Sequence, residues 1–200
     1  MQQRSVETRR ILMEATLDTI QALGYHRAST NEIIKQAGVS RGAMLHHYPT
    51  KVALLTAAFQ YLHDHIVTDV EELIKTAENQ QLGWPELLDD IMSRYFQGRN
   101  WDVFLEIMVA ARTDQALWAQ LVPIVQTYYA EVDNVWHQHF TTSKVDAEIA
   151  TLLNLSLCVI RGMALQTLLR DDPDYYANIM QQWKELITPL INNRANLPDK

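Results

Sequence analysis

One cysteine, six glycines and six prolines in 200 residues exclude several architectures at once. Cys158 has no partner within the chain, so no disulfide framework can form and a reducing, cytoplasmic setting is expected. Strand-like alternation of β-branched and polar residues is nearly absent, while Leu, Ala, Gln, Glu and Met dominate, which predicts an all-α fold. With 48% apolar residues the chain can fill a packed core, so disorder is not expected. The opening MQQRSVETRR lacks a signal-peptide core, and no stretch approaches the ~20 apolar residues that span a bilayer. A soluble protein without a membrane partner is expected.

Chemistry-bearing motifs are also scarce. Gly-rich phosphate loops, nucleophile elbows and zinc-protease spacings are missing, so neither an enzyme nor a cofactor is expected. The pairs His63/His65 and His137/His139 suggest a metal, but residues two apart on a helix point to nearly opposite sides. No metal site is expected. Asp171-Asp172-Pro173-Asp174 reads as a helix cap rather than a cation site.

Charge is unevenly spread. The net charge is -7, yet residues 1–51 hold seven Lys/Arg against four acids, and the other 149 hold ten against twenty. A small basic module facing a polyanion and a larger acidic body standing away from it would produce this split. A nonspecific architectural DNA binder would favour a broadly basic surface instead, and an enzyme with a helical pocket is the more remote alternative.

Local signals place the helices. Leu12, Ala15, Thr16, Thr19, Ile20 and Leu23 share one face of a helix from about Ser5 to Leu23, closed by Gly24. Ser29-Thr30-Asn31-Glu32 is a capping box opening a short helix that carries Ile33, Ile34 and Ala37. Gly38 suits a tight turn, and Ser40 caps a third helix from Arg41 to about His47, stopped before Pro49. A long fourth helix runs from Lys51 to about Asn79. Later helices are expected over 85–97, 101–112, 114–140, 145–171 and 173–193.

Two short helices joined by a glycine turn, the second with a polar N-terminal edge, form a helix-turn-helix. A B-DNA major groove admits one helix, and exposed N–H groups at the starts capped by Ser29 and Ser40 favour phosphate oxygens. Double-stranded DNA is therefore the expected partner.

The run Gly24-Tyr25, Ser29, Ile33, Ala37-Gly38-Val39-Ser40, Gly42, His47-Tyr48 and Lys51 followed by Leu54-Leu55 resembles the N-terminal signature of TetR-type transcriptional regulators over about 45 residues. The sequence departs from it at Ala28, Ala43, Leu45 and Val52, where Thr, Thr, Tyr and Glu are usual. The resemblance implies a DNA-binding domain over 1–50 and an effector-binding and dimerisation domain over 51–200. It also implies a homodimer and a sequence-specific regulator, a repressor released from a palindromic operator by a small hydrophobic ligand. Ser29, Ser40, His47 and Lys51 carry over as DNA-backbone contacts, and Arg41, Ala43 and His46, with Gly42 between them, as groove-facing positions.

Two further expectations rest on that likeness. A pocket for an aromatic or hydrophobic effector would draw on Met92, Tyr95, Phe96, Trp101, Phe104, Met108, Trp118 and Tyr128. The dimer interface would draw on the last two helices, through Leu152, Leu155, Val159, Met163, Tyr176, Met180, Trp183 and Ile187.

Overall fold

The computed structural model describes residues 2–80, 82–140 and 146–195. Among them are nine helices and no strand: α1 (Gln2–Leu23), α2 (Thr30–Ala37), α3 (Arg41–His47), α4 (Lys51–Gln80), α5 (Trp84–Tyr95), α6 (Gly98–Ala111), α7 (Gln115–Phe140), α8 (Asp146–Gln166) and α9 (Pro173–Ala195). The all-helical expectation holds. His137 and His139 lie where side chains are outside the described residues. Helix α8 stops short of the expected residue 171. Asp172 precedes a proline and so disfavours the α region, and its Oδ1 accepts the Tyr175 N–H at 3.1 Å, capping α9.

Two compact units form, each interleaved along the chain: residues 1–67 with 98–129, and residues 68–97 with 130–200. In the first, two apolar clusters share helices α1 and α4. Leu12, Ala15, Ile33, Met44 and Leu54 make a small core under α2 and α3. Leu17, Ile20, Leu55, Ala58, Phe59 and Leu62 instead join Val103, Ile107, Leu117 and Leu121 of α6 and α7. Packing thus cuts the chain differently from the functional division expected at residue 51. Thr16 and Thr19, both buried, donate to Leu12 O and Ala15 O at 2.6 Å, which satisfies their hydroxyls inside α1.

Polar bridges fasten α1 and the loop after it to α6 and α7. Arg99 donates to Glu14 at 2.9 Å and to Asp18 at 2.5 Å, and Gln21 donates to Asp102 at 3.0 Å. Tyr25 offers its backbone N–H to Glu106 at 2.9 Å and its hydroxyl to Asp114 at 3.0 Å. Burial, reinforced by Asp114, raises the Tyr25 phenol to about 12.

In the second unit α5 and α8 each pack on α9. Trp183 Nε1 donates to the buried Ser156 hydroxyl at 3.1 Å, and Lys184 pairs with Asp89. Over Ile149–Gln166 helix α8 is long and apolar enough to cross a membrane, although no such stretch was expected, and a third of that window is buried. The cause is apolar residues on two faces. Leu153, Leu157, Ile160 and Ala164 are buried, whereas Leu155 and Leu165 are exposed.

Candidate nucleic-acid interface

The helix-turn-helix is assembled by its caps. Ser29 Oγ accepts the Glu32 N–H at 3.3 Å, as the capping box requires, but the reciprocal arm is replaced: the Ser29 N–H donates to Arg27 O at 2.8 Å. Helix α2 ends on Gly38 at φ 64°, a left-handed conformation natural to glycine, and the following Val39 N–H closes on Ile34 O at 3.3 Å. Ser40 Oγ then accepts the Ala43 N–H at 3.1 Å to start α3.

With Met44 drawn into the core, α3 turns Arg41, Gly42, Leu45 and His46 to solvent. Its start offers backbone N–H groups and the positive end of the helix dipole, and its first residue, Arg41, is an exposed cation. Such a face suits a major groove. Of the expected contacts, Ser29, Ser40, Arg41, Gly42 and His46 are exposed, while Ala43 and His47 are half-buried, His47 lying 6.3 Å from the Tyr48 ring.

Lys51 is more constrained than expected. Its ammonium donates to Tyr25 O at 3.0 Å and lies 4.6 Å from the centre of the Tyr25 ring. Desolvation by that burial lowers its pKa, with Asp114 opposing the shift. Part of its donor capacity therefore holds the loop between α1 and α2. Leu45, where the resemblance would have Tyr, is an apolar side chain on the outward face of α3 and 44% exposed. An apolar side chain on such a face can meet a thymine methyl by apolar contact.

The eight expected pocket residues are shared between the two units. Trp101, Phe104, Met108 and Tyr128 lie in the first unit, where Trp101 stacks on Phe104 at 5.7 Å and His63 meets Tyr128 edge-on at 4.8 Å. Met92, Tyr95 and Phe96 lie in the second unit, and Trp118 is half exposed. Among the expected interface residues, Met163, Tyr176, Met180 and Ile187 are buried within their own chain. Leu152, Val159 and Trp183 are half-buried, and Leu155 is exposed. Both α8 and α9 carry leucines on the outer side as well as the buried one, so periodicity alone could not separate core from outer surface. The exposed leucines are Leu155 and Leu165 on α8 with Leu186 and Leu190 on α9.

No group of three or more His, Cys, Asp or Glu among the described residues could hold a metal ion. A capped helix pair with an exposed, cation-bearing reader helix defines a helix-turn-helix DNA-binding protein. Residues 12–58 match the family model for bacterial regulatory proteins of the tetR family. The chain is 28% identical over 187 residues to the HTH-type transcriptional regulator CymR of Pseudomonas putida, covering 92% of this chain and 91% of that one. An uncharacterized HTH-type transcriptional regulator of Mycobacterium bovis is 35% identical over 132 residues, 66% of this chain and 67% of its own length. A TetR-family structure from Streptomyces coelicolor superposes with a TM-score of 0.65 at 19% identity, covering 88% of this chain and 98% of that one. The chain belongs to the TetR family and is a DNA-binding transcriptional regulator.

Proposed function

We propose that the protein is a cytoplasmic homodimeric repressor that binds a palindromic or near-palindromic operator and leaves it when a small hydrophobic ligand binds the helical body. The observation that carries the reading is the outward row on the last helices. Leu155, Cys158, Gly162 and Leu165 recur along one exposed side of α8, and Leu186 and Leu190 do so on α9. Exposed leucine at helical spacing on two adjacent elements is costly in water and suits a self-complementary partner. Two-fold pairing would then set two α3 helices about one DNA turn, roughly 34 Å, or a multiple of it apart.

In this reading Arg41, His46 and Leu45 read base edges, and Ser29, Ser40 and His47 position the duplex through phosphates. Lys51 contributes with whatever donors the Tyr25 carbonyl leaves to it. Selection of bound sequences from random duplex DNA, with sedimentation of the same protein, tests the proposal. The expected result is an enriched motif with two-fold symmetry and a dimer that Leu155→Glu with Leu186→Glu converts to monomer, with operator affinity lost. A stable wild-type monomer at micromolar concentration, or selection without an enriched motif, overturns it.

A further inference from the structure

The second unit contains a cleft of about 690 Å³, a volume suited to a drug-sized molecule. It opens where α5, the turn after α8 and the first turns of α9 meet, and only Met92 of the pocket expected from the sequence lines it. Its apolar wall is Met92, Met163 and Met180, unbranched and polarisable side chains that mould to irregular ligands. Tyr176 also lines it, is 7% exposed, and has a buried hydroxyl without a hydrogen-bond partner among the described residues. A hydroxyl left unpaired away from water is costly, so a ligand whose entry shifts Tyr176 and brings a polar atom to that oxygen is favoured.

The rim sets the charge of that ligand. Both cations lining the cleft are already matched: Lys184 pairs with Asp89, and Arg170 donates to Asp172 at 2.7 Å. Asp171 is a third carboxylate, exposed and without a partner among the described residues. Beside it the Arg170 guanidinium is also held 3.4 Å from the centre of the Tyr175 ring, which engages it further. An anion would meet an excess of carboxylate, whereas a cation meets a free one.

We infer that this cleft binds an amphiphilic organic monocation, its apolar body on the methionines, its charged nitrogen by Asp171 and a polar atom of the body toward Tyr176. This names the class of effector and its place, and it rests on the effector reading for its consequence, not for its chemistry. Calorimetry on the full-length protein without DNA tests the site, using imipramine, its uncharged ring system iminodibenzyl, and 2-hydroxyimipramine.

Imipramine is expected to bind more tightly than iminodibenzyl, and Asp171→Asn to weaken it by about fivefold while leaving iminodibenzyl unchanged. Tyr176→Phe is expected to remove an advantage of about fivefold held by the hydroxylated compound. Ala177→Trp, at an exposed position lining the cleft, is expected to abolish binding while operator affinity stays intact. Binding that ignores charge, or that survives in Ala177→Trp, overturns the inference, as does an absence of heat with all three compounds. Operator release is measured separately. Cation binding at the cleft without release leaves the site standing and overturns its role as the effector pocket.

Discussion

The DNA-reading helices and the last two helices distribute the same side chains in opposite ways. In α2 and α3 the large apolar residues Ile33 and Met44 are buried, and apart from Leu45 the outward side is polar, organised by Ser29, Ser40 and Gly38. In α8 and α9 leucines face outward at Leu155, Leu165, Leu186 and Leu190, while polar groups such as Ser156 and the Trp183 N–H bond to each other inside. A surface meant for a polyanion needs donors held by backbone geometry. A surface meant for another protein needs area that water would rather leave. Met44→Ala should therefore cost about 2–5 kcal/mol of stability, because it empties a filled site beneath the reader. Leu186→Ala in a Leu155→Glu background, at a concentration where sedimentation gives monomer, should change stability by less than about 0.5 kcal/mol. Urea unfolding of both variants checks the contrast, and equal losses would break it.

Next in size is Lys51, where anchoring and DNA contact meet in one side chain. Lys51→Met keeps most of the stem but removes the bond to Tyr25 O and the cation over its ring. A loss of about 1–2 kcal/mol in stability is expected. If a spare donor also reaches phosphate, the salt dependence of operator binding should become shallower by about one unit per subunit. Unfolding and binding titrations read the two roles apart.

Lys51 also marks where the sequence became hard to read. Its place before a long helix was legible, but its acceptor lies 26 residues earlier in a loop, and no periodicity encodes such a closure. The caps were legible because Ser29 and Ser40 act on N–H groups three residues ahead. Core and interface were not, because α8 is apolar on two sides and one sequence records no difference between Met163, buried, and Leu165, 52% exposed. A pocket lining was not legible either, for a related reason. Aromatic residues at helical spacing say that a helix is packed and not which unit packs it.

Glycine sharpens the same contrast at lower energy. Gly38 has φ 64° and Gly162 does not share that left-handed conformation, yet neither has an atom within 4 Å of where a Cβ would stand. Steric crowding is thus removed from the comparison. Gly38→Ala should cost about 1 kcal/mol through backbone strain, and Gly162→Ala should gain about 0.5–1 kcal/mol through helix propensity, in the monomeric background. Thermal unfolding gives the signs. If Gly162→Ala instead weakens the wild-type dimer by sedimentation, the two α8 helices approach closely at that glycine.

The smallest effect concerns a polar group buried on the reader's side of the division. His63 of α4 is 3% exposed, packed at 4.1 Å against the Phe59 ring, and its Nδ1 bonds Phe59 O at 2.8 Å. A carbonyl only accepts, so Nδ1 carries a proton, and it is burial that disfavours a second one on Nε2. Burial lowers its pKa below the usual 6.5, against weaker opposing contributions from the Phe59 carbonyl and Asp64. Below pH 6.5 the unfolded chain takes up a proton that the folded chain resists. The stability tied to neutral His63 is therefore complete above pH 6.5 and declines as the pH falls toward the lowered folded value, with a slope of at most about 1.4 kcal/mol per pH unit. Between pH 6.5 and 5, carboxylates such as Glu14, whose pKa is lowered from 4.5, remain ionised and do not contribute to the loss. Hydrogen exchange, corrected for its intrinsic pH dependence, should show protection falling in α6 and the first half of α4 while α8 and α9 hold theirs. His63→Phe should flatten that response, and an acid response identical in both proteins would assign the pH sensitivity elsewhere.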